Sequence, residues 1–262
     1  MLVLKVTVAC LLCASHALLP TRRAPRAPRA PRAPRTALSG KKAPKGKRGA
    51  RGGAAPRCAE LAEGSARPKL VVFDLDNCLW TPELFELRKA PKAGKDVRLF
   101  DGARDALFDL ATNPAWASAS TAAAAASRAS QAAWAEALLA EFDAAPGARA
   151  GVKAADVLAF REIYPGSKRG HFQRLKERSG VKFSQMLFFD DWTANLAEVC
   201  QLGVLCVHAP RGLTFDVWEG GLRAYARLKG DETAGADPFM GRVLMPHDLR
   251  EAALLAEERR PV

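Results

Sequence analysis

No aspartate or glutamate occurs in the first 57 residues of this 262-residue chain, a stretch that holds 14 of its 40 lysines and arginines. The net charge of +12 belongs to that segment alone, because residues 58–262 carry 26 basic against 28 acidic residues. A folded part without a basic excess of its own argues against nucleic acid as its partner. Apolar runs near the start are short as well: Val6–Cys13 is too brief to span a bilayer. Cysteine is sparse and poorly arranged for metal or disulfide work. Cys10 and Cys13 have no second pair or histidine cluster to complete a zinc site. Cys58, Cys78, Cys200 and Cys206 lack the spacing of a disulfide framework and read as reduced, packing thiols.

What the amino-terminal segment does contain is a leader and a repeat. Residues 1–19 combine Lys5, the apolar run and the small residues Ala14-Ser15-His16-Ala17, which fits a signal peptide cleaved near Ala17. A retained anchor is the alternative. Ala-Pro-Arg then repeats four times from Ala24 to Arg35, followed by a Gly/Lys/Arg stretch. Such a composition cannot bury apolar surface and is expected to be disordered or polyproline-like. Residues 20–67 are therefore assigned to a basic presequence or linker, 68–230 to the folded domain and 231–262 to a carboxyl-terminal extension. A signal peptide followed by an Arg-rich, acid-free segment resembles the two-part presequence of complex plastids. Secretion with a basic tail is the alternative, and nucleic-acid binding by the tail is a third reading.

The chemistry gathers around Leu70-Val71-Val72-Phe73-Asp74-Leu75-Asp76. The run Leu70–Phe73 predicts a short strand buried on both faces. Side chains alternate along a strand, so Asp74 and Asp76 can share one side of its carboxyl end, the edge where open α/β sheets bind ligands. Alone, the pair is equally well a strand entering an Asp-rich turn. The pattern recurs at Met186-Leu187-Phe188-Phe189-Asp190-Asp191. Two parallel strands bringing four carboxylates to one edge suit a hard divalent cation, Mg²⁺ above all. Lys168 and Arg169 open a helix predicted from Lys168 to about Arg178 and closed by Gly180. Cations there oppose the helix dipole unless an anion is held at that end. Two solvated charges are the plainer reading.

These stretches, V-V-F-D-L-D-N-C-L-W, A-A-S-R-A-S, Y-P-G-S-K and L-F-F-D-D, appear in the order of the four motifs of the haloacid dehalogenase superfamily. Their wording is similar to its magnesium-dependent phosphatase family, over about Lys69 to Leu228. The resemblance implies an α/β fold, a Rossmann-like three-layer sandwich around a central parallel sheet. Only Thr81–Phe100 stands where relatives can carry a large cap, leaving room for a short flap. It also implies an Mg²⁺-dependent phosphatase with Asp74 as nucleophile, Asp76 as general acid and base, and Lys168 beside them. Asp74, Asp190, Asp191 and the main-chain carbonyl of Asp76 would serve the metal. Ser127 and Arg128 would hold the phosphate or substrate body, with a helix N-cap the alternative for Ser127.

Implied substrates are phosphorylated small molecules or phosphoproteins, with protein phosphotyrosine and sugar phosphates the two family precedents. A monomer is expected. A non-catalytic phosphate-binding protein and a phosphotransferase are the competing readings. Asn77, Cys78 and Trp192 depart from the family pattern. Cys78 stands where a threonine hydroxyl supports the loop, and Trp192 where an acidic residue is common. His171 and His208 are expected to pack or cap, because the site is already all-oxygen.

Elsewhere, helices are predicted over 101–112 with Asp101 as cap, over 129–142, over 193–202 with Thr193 as cap, over 213–228 and over 248–259. Strands are predicted at 157–163 and 204–208. The alanine-rich 115–126 has helical propensity, but the resemblance makes its end a central strand.

Overall fold

A computed structural model describes residues 55–146, 151–230 and 238–249. The leader and most of the basic segment lie outside them, with the readings placed on them. In chain order the elements begin with β1 (Leu70–Phe73), β2 (Trp80–Thr81), β3 (Arg98–Leu99), α1 (Asp101–Thr112) and α2 (Pro114–Ser118). There follow β4 (Ala122–Ser127), α3 (Ala132–Glu141), α4 (Ala154–Val157), β5 (Leu158–Ile163) and α5 (Lys168–Ser179). The chain continues through β6 (Met186–Asp190), α6 (Thr193–Cys200), β7 (Leu205–His208), α7 (Phe215–Gly230) and β8 (Val243–Leu244).

Six strands form one parallel sheet in the order β5-β4-β1-β6-β7-β8. The period-two alternation of side chains splits its apolar residues between two cores. Val71, Phe73, Ala123, Ala125, Leu187, Phe189, Leu205 and Val207 join α1, α3 and α7 on one face. Leu70, Val72, Ala124, Ala126, Met186, Phe188 and Cys206 join α5 and α6 on the other. This is the expected α/β three-layer sandwich. Gly221 of α7 is required by close approach, since a Cβ there would lie 2.8 Å from the Phe189 ring.

The alanine run forms β4, as the resemblance implies. Its ladder is paired on both edges, to β1 and to β5, and that tertiary pairing overrides helical propensity. Asn113 ends α1 and its side chain accepts a hydrogen bond from Ala115, starting the unpredicted α2. The cap assignments differ from expectation. Asp101 and Thr193 are first helical residues, and the capping positions are Phe100 and Trp192, with no side-chain cap bond. Ser167 caps α5, and Gly180 closes it in the left-handed conformation.

The fold is wider than 68–230. At one end Ala59 N–H donates to Asp109 Oδ2 at 3.0 Å and Arg57 pairs with Asp105. At the other, β8 adds a sixth strand to β7. Most of the helix expected over 248–259 falls outside the described residues. No large cap occurs among the described residues: β2 and β3 pair as a two-stranded antiparallel flap with one 3-10 turn, Leu84–Glu86, between them. Also among them, no helix is long and apolar enough to cross a membrane.

Candidate active site

The carboxyl ends of three strands and one helix start converge on a single edge of the sheet. Asp74 and Asp76 follow β1, Ser127 ends β4, Arg128 follows it, and Asp190 ends β6 with Asp191 next. Lys168 is the first residue of α5. Its ammonium is fully buried and has three acceptors: Asp74 Oδ1 at 2.5 Å, Asp190 Oδ2 at 3.0 Å and the Ala126 carbonyl. An ammonium has three protons, so this set is complete.

Asp190 is equally enclosed. Its Oδ1 accepts from the Trp192 backbone at 2.8 Å, and Asn195 Nδ2 donates to both its oxygens at 3.1 and 3.0 Å. Asp76 has a separate environment, accepting from Trp80 Nε1 at 2.7 Å and from Leu84 N–H at 3.3 Å. Ser127 Oγ accepts from Ala129 N–H at 3.2 Å. It does not cap a helix, since α3 begins only at Ala132 with Gln131 in the capping position. The arginine Arg128 is exposed, with its guanidinium 5.3 Å from the Trp192 ring centre and Nη1 3.4 Å from Asn195 Oδ1.

Electrostatics separate these groups. Burial pushes the Asp74 carboxyl up to about 8; the Lys168 ammonium pulls it down, and Asp190 and Asp191 push it up again. Burial and Asp190 raise Asp191 to about 6. Burial also raises Asp76, against its hydrogen bonds from Trp80 and Leu84. Lys168 is pulled down by burial but held above its ordinary value overall by Asp74 and Asp190. One ammonium thus pairs with two carboxylates, with a third, Asp191, beside them.

Oxygens of Asp74, Asp190 and Asp191 lie within 4.8 Å of one another. When fully ionised, the three carboxylates against one ammonium leave a deficit of two positive charges in an all-oxygen setting. The donor set therefore fits a hard divalent cation. A cavity of about 550 Å³ opens over this edge, with Asp74, Asp76, Ser127, Arg128 and Asp191 in its lining. Lys168 and Asp190 lie beneath that lining, fully buried.

Several participants escape a reading of the sequence. Asn195, 5 % exposed, links Asp190 to Arg128. Its only signal is a polar residue next to the inward positions of α6. Glu198 Oε2 accepts from the Lys168 backbone N–H at 3.2 Å, so the anion beside the first turn of α5 is a carboxylate of the protein itself. Glu83 and Phe85 of the flap enter the cavity lining.

The departures from the family pattern have local explanations. Asn77 sits at φ 55°, a left-handed conformation that asparagine tolerates better than most residues. Cys78 is buried, with Sγ 3.4 Å from the Phe189 carbonyl, and burial pushes its thiol well up, as suits an inert packing residue. The two histidines stay outside the acidic cluster: His171 Nε2 lies 3.0 Å from the Tyr164 carbonyl and His208 Nε2 lies 2.9 Å from the Asp191 carbonyl.

Comparison with known proteins shows the family. The acid phosphatase family model matches residues 66–228, more than half of the chain. Human magnesium-dependent phosphatase 1 is 37 % identical over 174 residues, 62 % of this chain and 89 % of that protein. Among solved structures, one is the N-terminal part of a Bacteroides fragilis protein containing a phosphatase domain complexed with Mg. It has 17 % identity and a TM-score of 0.37, over 62 % of this chain and 40 % of that one. A haloacid dehalogenase-like family hydrolase from Xanthomonas campestris has 13 % identity and a TM-score of 0.43, over 64 % of this chain and all of that one. On the match over residues 66–228 and the human relative, the chain belongs to the acid phosphatase family.

Proposed function

We propose that this chain is a magnesium-dependent phosphatase hydrolysing phosphate monoesters through an aspartyl-phosphate on Asp74. The observation that carries the reading is Asp74 itself. One of its oxygens is held 2.5 Å from Lys168 Nζ, its carboxylate is clustered with Asp190 and Asp191, and it borders an open cavity. A held carboxylate of this kind is an oriented nucleophile. Asp74, Asp190, Asp191 and the Asp76 carbonyl would hold Mg²⁺, which when bound supplies charge neutralisation at the phosphoryl oxygens. Lys168 adds positive charge on the same side and keeps the Asp74 carboxylate in place. Asp76 is two residues further on, and burial raises its carboxyl. It therefore keeps a proton to higher pH, as an acid needs if it is to protonate the leaving oxygen. The same group then takes a proton from the water that opens the acyl phosphate. Ser127 donates its hydroxyl proton to a phosphoryl oxygen, and Arg128 meets the substrate at the cavity mouth.

Protein phosphotyrosine and sugar phosphates are the proposed substrates, and a monomer the proposed state. The composition of residues 1–57 supports delivery through the secretory pathway to a complex plastid, with secretion as the alternative. The test is turnover of a generic phosphate monoester by the full chain, with Mg²⁺ and with EDTA, beside Asp74→Asn. Mg²⁺-dependent release of phosphate that vanishes in the variant is expected. A folded, Mg²⁺-binding protein with no turnover would overturn the reading in favour of phosphate binding alone.

A further inference from the structure

Asp76 and Asp109 both accept hydrogen bonds from indole N–H groups, but they use their oxygens differently. At Asp109 both oxygens are occupied. Asn113 Nδ2 and Trp116 Nε1 donate to Oδ1, and the Ala59 N–H and Trp218 Nε1 donate to Oδ2. At Asp76 both donors land on Oδ1: Trp80 Nε1 at 2.7 Å and the Leu84 N–H at 3.3 Å. Its Oδ2 has no hydrogen bond among the described residues, and the residue lines the cavity. A buried tryptophan needs an acceptor for its N–H. That need alone does not require the second oxygen of the acceptor to be left open on a cavity.

Trp80 is fully buried, and its own main chain is tied down. It pairs with Leu99 across the flap. Its N–H donates to the Leu75 carbonyl at 3.1 Å, and its carbonyl accepts from the Asn77 N–H at 2.8 Å. The ring lies against Phe142, with centroids 6.1 Å apart and planes 28° apart. The indole N–H is thereby held in one direction, toward Asp76. In a neutral carboxylic acid one oxygen carries the proton and the other is the better acceptor. Two N–H donors on Oδ1 make it the acceptor, so the proton stands on Oδ2, the side without a protein partner.

We propose that Trp80 is a positioning residue that turns the Asp76 carboxyl so that Oδ2, rather than Oδ1, delivers the proton to the leaving oxygen. An Asp74 oxygen bonds to phosphorus while the bond from phosphorus to the ester oxygen breaks. The proton on Asp76 Oδ2 passes to that ester oxygen, which departs as the alcohol, and Asp76 is left as a carboxylate. A carboxyl free to rotate would present the wrong oxygen for part of the time, and the fixed one is oriented before the reaction begins. This role rests on the phosphatase reading above and adds what aims its acid.

The test is turnover by the full chain in Mg²⁺ of an alkyl phosphate and of dinitrophenyl phosphate, whose leaving group needs no proton. Trp80→Phe keeps a ring against Phe142 and removes the donor. It lowers turnover of the alkyl ester by about 10- to 100-fold, part of what a positioned acid supplies, and of the dinitrophenyl ester by less than about threefold. Added to Asp76→Asn, the same substitution lowers neither rate further, because the two residues act through one bond. Trp116→Phe, which takes an indole from Asp109, lowers stability without separating the two esters. Losses in Trp80→Phe that fall alike on both esters overturn the proposal, whereas no turnover of either ester by the unaltered protein defeats the phosphatase reading itself. A readout that needs neither Mg²⁺ nor turnover is the Trp80 indole N–H resonance in nitrogen-15-labelled protein, identified by its loss in Trp80→Phe. Asp76→Ala moves it upfield; a resonance that stays in place shows no bond to Asp76 and overturns the proposal as well.

Discussion

Two clusters of buried aspartate lie at different places in this molecule and are built in opposite ways. Asp109 on α1 has four donors: the backbone of Ala59, Asn113 Nδ2, and the indole N–H groups of Trp116 and Trp218, all within 2.9 to 3.0 Å. It lines no part of the cavity described above. At the sheet edge, Asp74 and Asp190 share one ammonium, with Asp191 beside them, beneath an open cavity. The first cluster spends its carboxylate on holding four segments together. The second holds unbalanced negative charge where a cation and a substrate have access. Full satisfaction marks structure; shortage of positive charge beside a cavity marks chemistry.

The sharpest way to break the contrast is at Asp74. Asp74→Asn lowers turnover by about 10⁴-fold or more if the nucleophile is lost, while the folded state is as stable as before or more so in EDTA. Next comes Asp76→Asn, expected to cost about 10²- to 10⁴-fold in turnover, the range for a positioned acid and base, with Mg²⁺ affinity little altered. A substrate with a better leaving group should recover part of that loss. Asp109→Ala should do the reverse of both. Leaving two buried indole N–H groups without an acceptor destabilises the fold by about 3 kcal/mol in urea unfolding, with turnover per folded molecule unchanged. Asn195→Ala removes the donor to both Asp190 oxygens, and about 10- to 100-fold weaker Mg²⁺ binding is expected.

The smallest effect is in pH. In metal-free protein Asp74 and Asp191 keep their protons to about 8 and about 6, against 3.8 for an unperturbed aspartate. The folded state therefore binds more protons than the unfolded one between those limits, and these groups cost stability as pH rises from about 4 to about 8. Melting in EDTA should fall by several degrees across that window relative to Asp74→Asn, and Mg²⁺ should abolish the difference. A slope as steep in the variant would show that Asp74 is not its source.

Much of the sheet edge is legible in the sequence because each motif is local. Apolar runs ending in Asp74 and Asp190 announce both strand and carboxylate, and Lys168 and Gly180 bracket one helix. Other parts depend on contacts between distant segments. The alanines of β4 have a strand's environment without a strand's propensity, and β8 is two residues with no period to detect. Asn195 and Glu198 take part through partners on other elements, which no spacing within α6 reveals. Asp101 and Thr193 have the side chains of caps, yet in each case the chain turns one residue earlier.

The Asp109 cluster also fixes where the chain can be shortened. Its Ala59 donor, and the bonds from Arg57 to Asp105, come from residues ahead of the first strand. A chain that begins after Ala59 would strip Asp105 of its Arg57 donors and Asp109 of one of its four, while leaving every catalytic candidate in place. Such a truncation lowers stability rather than chemistry, although its start lies well upstream of the hydrophobic run at Leu70.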